Sequence, residues 1–306
     1  MIRSVNGMNR LVLVLLSTLT LTGGAYGQVR VMPGDVKDTR RTDGFFNKLE
    51  VEMKVLGDVL AGAKGIRVRI TKAVDETGKD LLPEKKGDDE FKELSSSGNE
   101  TAKVDLELKN PARKAMAVQE ISGTLELFVP SRDTNAMILI PSLTSAVGHA
   151  YEHAGLKAAG IEVSIWNKQQ YETRRKSEEE RLKKAYEERK KKAAEPGGSA
   201  EDFGDALAQG LMKVFGGLFN AMTEMGENGL AIQVTDPKKL LIGIEFEDAN
   251  GKTIDHRGQT TLGGEERTML FDFEEKLPET ARVKLHLLTS KSVVSFPFKL
   301  VNVPLP

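Results

Sequence analysis

Apolar and polar residues alternate with a period of two along much of the chain. Leu49-Glu50-Val51-Glu52-Met53-Lys54-Val55 does so without a break, the pattern of a strand with one face in a core and the other in water. Ile66 to Ile70 and Val104 to Leu108 alternate in the same way, Asn110-Pro111 closes the latter, and Ile121 to Val129 and Ala136 to Ile140 read as two more strands. The order then returns. Leu230 to Val234 matches the first strand, Ile244-Glu245-Phe246 the second, Leu270 to Phe273 with Leu277-Pro278 the Pro-ended strand, and Val283 to Leu287 with Val293 to Leu300 the final pair. Ala249 to Ile254 matches Ala73 to Leu81 around a Gly-Lys turn. Asn250-Gly251 between alternating segments is a hairpin signal, because the tight turn needs positive φ at its centre.

The predicted fold class is therefore mainly β with an α-helical insertion, the β part being a tandem duplication of one module. Strands about ten residues apart with polar turns suit immunoglobulin-like or fibronectin-like antiparallel β-sandwiches. The expected layout is a flexible lead-in over 28–44, a first sandwich over 45–145, a linker over 146–160 and a second sandwich over 161–306.

Residues 171–226 break the alternation. From Tyr171 to Ala194 ten Lys and Arg are interleaved with six Glu. Glu179–Lys183, Glu180–Lys184, Glu187–Lys191 and Glu188–Lys192 stand in the favourable i,i+4 order, which predicts a solvated helix. Glu195-Pro196-Gly197-Gly198 ends it, and Ser199 is placed to cap a second helix. There Phe203, Leu207, Leu211, Phe215, Leu218 and Met222 fall on one side of a helical wheel, with Asp205, Gln209, Lys213 and Asn220 opposite. Gly216-Gly217 weakens that helix by roughly 1 kcal/mol per Gly, so it needs a surface to pack on. Together the two predict a helical hairpin inserted in the second sandwich, with the apolar face as an interaction surface for a protein partner or for self-association.

The first 27 residues read as a cleaved secretory signal: Arg3 and Arg10, then the apolar run Leu11 to Leu21, then Ala25-Tyr26-Gly27 as a small-x-small site. The run is too short to span a bilayer, which takes about 20 residues. The expected location is periplasmic or extracellular. Removal of the signal moves the formal charge from −1 to about −3, without the basic excess of a nucleic-acid binder. Lys213 is the only cation between 201 and 226, unlike the Lys-rich polar face of a membrane-surface helix. With no cysteine, disulfides, thiolate nucleophiles and Cys-based zinc sites are excluded.

One short motif carries chemistry. His149-Ala150-Tyr151-Glu152-His153 fits the H-x-x-E-H pattern of inverted zinc metallopeptidases. On a helix, His149 and His153 would hold one Zn²⁺ and Glu152 would be the general base. No third ligand declares itself and the flanks lack the α/β scaffold of those enzymes, so the alternative reading, a zinc-dependent hydrolase, ranks below a surface turn. His286 falls on the polar phase of Val283 to Leu287 and is expected to face solvent. The sequence thus points to an exported, non-enzymatic scaffold or interaction protein with no cofactor.

Overall fold

The computed structural model describes residues 29–41, 47–84, 90–94, 100–193, 224–263 and 266–306. About half of the described residues are strand and 15% helix, so the protein is mainly β, built from several antiparallel sheets. The signal segment 1–27 and the predicted second helix, with Phe203, Leu207, Leu211, Phe215, Leu218 and Met222, lie outside the described residues.

The alternation at 49–55 forms β2 (Lys48–Leu56), in which Leu49, Val51, Met53 and Val55 are fully buried and the residues between them are not. β2 pairs on one side with β1 (Arg30–Thr39) and on the other with β5 (Thr101–Leu108). A second sheet runs in the order β14 (Val293–Pro304), β6 (Ala117–Phe128), β3 (Gly65–Asp75) and β4 (Lys92–Glu93). One core joins the two sheets, with Met53 and Leu106 from the first and Ile121, Leu125, Phe298 and Leu300 from the second.

A second core is built likewise. One sheet has the order β10 (Leu241–Glu247), β13 (Arg282–Leu287), β7 (Met137–Ile140). The other runs β11 (Gly258–Gly263), β12 (Glu266–Asp272), β9 (Leu230–Thr235), β8 (Glu162–Asn167). Ile140, Ile165, Ile232 and Leu285 meet there around Phe246, whose ring lies 4.9 Å from those of Phe271 and Phe273, edge to face.

Three segments depart from the expected layout. The lead-in over 28–44 holds β1, an edge strand whose register shifts between Pro33 and Val36. Its sequence (RVMPGDVKDT) lacks alternation because the edge buries little of either face. The linker over 146–160 contains α2 (Ala154–Ala159), which buries Leu156 in the second core. The 145/161 boundary also fails to separate the strands by sheet. β7, on the first side, pairs with β13, and β14, on the second, pairs with β6. Alternation fixes which face of a strand is buried but not which sheet receives it.

The loop after β3 and the loop after β10 are the same turn. Asp75 N donates to Lys79 O and Gly78 N to Asp75 O; Asp248 N donates to Lys252 O and Gly251 N to Asp248 O. Leu81 N closes on Ala73 O as Ile254 N closes on Phe246 O. Gly78 and Gly251 have φ of +84° and +85°, a region that suits glycine.

Candidate functional site

Where the insertion leaves and rejoins the sheet, two structures meet that the sequence places far apart. α3 (Lys168–Ala193) follows β8 directly and packs on β8 and β9. At 26 residues it is about 39 Å long. Its sequence is charged for most of its length, and its first turns find a partner on the sheet. Tyr171 reaches a small cluster of Met225, Ala231 and Leu270 on the outer face of the β8/β9/β12 sheet. Trp166, the only tryptophan, is buried beside it on β8, with the Arg174 guanidinium 4.5 Å above its ring, a cation–π stack.

The returning segment is fastened at the same place. Lys168 Nζ donates to Glu227 Oε1 at 2.6 Å, Gly226 N to Asp272 Oδ1 at 2.7 Å, and Asn228 Nδ2 to Glu274 O at 3.1 Å. The Lys168 ammonium holds the Glu227 carboxyl below its usual range. Both are surface groups, so the pair itself contributes little to stability. Its significance is positional: the two ends of a 60-residue excursion stand side by side.

The H-x-x-E-H segment is not helical. Val147 and Ala150 form isolated bridges to Ile165 and Ser164, and Tyr151 N donates to Val163 O. His149 and His153 are therefore not one helical turn apart. His153 instead caps α2, its Nδ1 accepting from Gly155 N at 3.1 Å, and stacks on Tyr151. Among the described residues no group of three or more His, Asp or Glu is placed to hold a metal.

A second polar centre, which the sequence reading missed, lies where the two bodies touch. His286 is only 3% exposed, not solvated as expected. The alternation at β13 holds, but its polar face meets a second layer: the Phe128 ring stands 6.4 Å away, edge to face. Periodicity within one strand cannot reveal a surface supplied by another body. His286 Nε2 lies 3.1 Å from Glu245 Oε2, bent away from a straight hydrogen bond, and Nδ1 has no hydrogen-bond partner among the described residues. Glu245 also pairs with Lys64 of the other body. His286 and the Lys64 ammonium hold the Glu245 carboxyl down at about 2. Glu93, whose carboxylate reaches toward Gly243, is pushed up by burial and by the Glu245 charge. Lys64 Nζ and Glu245 thus bridge the bodies beside the Phe128–His286 ring contact.

The chain matches no family model, no curated protein and no solved structure. Among the described residues no helix is long and apolar enough to cross a membrane.

Proposed function

We propose that this is an exported, non-enzymatic scaffold: two immunoglobulin-like β-sandwiches that carry a helical hairpin, whose second helix binds a protein partner or another copy of the chain through Phe203, Leu207, Leu211, Phe215, Leu218 and Met222. The observation that carries the reading is the paired base of the insertion. With Lys168 and Glu227 2.6 Å apart, an excursion that leaves and returns at one point suits a hairpin held away from the cores. Its first helix is almost entirely charged in sequence, so it offers the second helix little apolar cover. Burial of a helix face against another chain is the mode of recognition.

The test is made on the mature chain, residues 28–306. Leu211→Glu with Phe215→Glu is expected to leave the fold, read by circular dichroism and urea unfolding, unchanged. The same variant is expected to abolish association, read as solution mass by light scattering or as capture of a partner from the native cell envelope. Unfolding of the whole protein would mean that the face is internal core and would end this reading. A folded variant whose mass and captured partner are unchanged would equally end it.

A further inference from the structure

The two cores share more than a style. β1, β2 and β5 are neighbours in one sheet, and β8, β9 and β12 are neighbours in the same order in another. β3 lies beside β6, and β10 beside β13. The turn after β3 and the turn after β10 match bond for bond at a constant spacing of 173 residues: Asp75 Oδ1 accepts from Thr77 N and Lys79 N, and Asp248 Oδ1 from Asn250 N and Lys252 N. The isolated bridges Val74↔Asp80 and Glu247↔Thr253 keep that spacing.

β4, beside β3, and β11, beside β12, have no counterpart in the other half; of the six strands that do correspond, the last breaks the pattern. β7 follows β6 in the chain yet pairs with β13, and β14 follows β13 yet pairs with β6. We infer that the chain is a duplicated six-strand unit whose two copies have traded their last strands, so that each core is closed by a strand belonging to the other. Strand length explains why the exchange is favoured. β6 and β14 have 12 residues each and form 11 register pairs. β13 has 6 and β7 only 4, forming 4 pairs. Returned to its own unit, β7 would leave unpaired most of the β6 edge that β14 now covers, and unpaired backbone groups are costly. The crossing connectors, 129–136 and 288–292, run against each other: Val129 N donates to Ser292 O at 2.7 Å and Thr289 Oγ1 to Asp133 Oδ2 at 2.8 Å.

The absence of cysteine makes the exchange directly testable. Ser122 and Lys299 are register partners across β6 and β14, as are Leu139 and Lys284 across β7 and β13. Antiparallel partners lie about 4.5–5.5 Å apart at Cα, within disulfide reach. The variants S122C/K299C and L139C/K284C, and all four together, are expected to oxidise fully within one chain. The product keeps monomer mass in denaturing gels, with each linked peptide recovered after digestion. Crosslinks found only between chains would mean that the exchange joins two copies, and crosslinks absent from folded protein would mean that there is none. Either result overturns the inference. Calorimetry of the unaltered chain decides it should the variants not fold: traded strands require one unfolding transition for both cores, and two well-separated transitions would refute it.

Discussion

Asp75 and Asp248 perform one task in two environments, which makes them a controlled comparison. Asp75 is fully buried; its Oδ1 accepts from the Thr77 and Lys79 amides and the Thr77 hydroxyl, and its Oδ2 from Ala112 N at 2.8 Å. Burial alone would raise this carboxyl, but the converging donors more than offset it and hold it below its ordinary value. Asp248 accepts from Asn250 N and Lys252 N and stays partly in water. A buried donor left without its acceptor costs about 1–3 kcal/mol, whereas an exposed one turns to solvent. Asp75→Ala is therefore expected to cost about 3 kcal/mol and Asp248→Ala about 1 kcal/mol or less, read by urea unfolding. Equal costs would mean that the turn itself, and not its burial, sets the energy. Both carboxyls are depressed in the fold. Their contribution is present above the ordinary carboxylate range and is lost as pH falls through it.

At the scale of elements, legibility followed from solvent. β2 and β5 were readable because each has one wet and one dry face. β9 begins with Leu230, Ala231 and Ile232 all buried, and the start of α3 with Met225 accounts for the second covered face. A turn at Asn250-Gly251 was legible because its chemistry is local, although only Gly251 takes positive φ and an isolated bridge from Glu247 to Thr253 spans it in place of the expected two-residue hairpin; β1 was not, since an edge strand with a bulge needs no apolar phase. The attachment of the insertion, also invisible in the sequence, gives its own prediction. Met225 is 2% exposed in a cluster separate from both main cores. Met225→Ala removes about 2 kcal/mol of packing, but the loss falls on the anchor and appears as local opening. The emission of Trp166, 8% exposed beside this cluster, should shift to the red, with global unfolding by circular dichroism moved by less than about 1 kcal/mol. A large fall in global stability without a spectral change would mean that the anchor is part of the second core.

Across the whole molecule, one group at the contact between bodies is tuned to respond to acid. Phe128 of β6 is fully buried, and with His286 and Glu245 it forms the floor on which Lys64 closes. Nothing in the periodicity of β10 or β13 marks Glu245 and His286 as partners, because the surface facing them belongs to Lys64 and Phe128, far earlier in the chain; the signal would have been a histidine at the end of a strand whose counterpart, β6, ends in Leu127-Phe128. The Glu245 carboxyl is held at about 2 against an ordinary 4.5. A depressed acid stabilises the fold fully above its unfolded value and loses that contribution as pH drops through its folded value. The window is therefore about pH 4.5 to 2, and the contribution at neutral pH is of the order of 2–3 kcal/mol. Glu245→Gln is expected to lower stability by about 2 kcal/mol at pH 7 and by little near pH 2, so the two stability–pH curves converge on acidification. Lys64→Met leaves His286 beside Glu245 and should keep part of the acid dependence, whereas curves for Glu245→Gln that stay parallel to the parent down to pH 2 would show that the charge on Glu245 does not join the bodies.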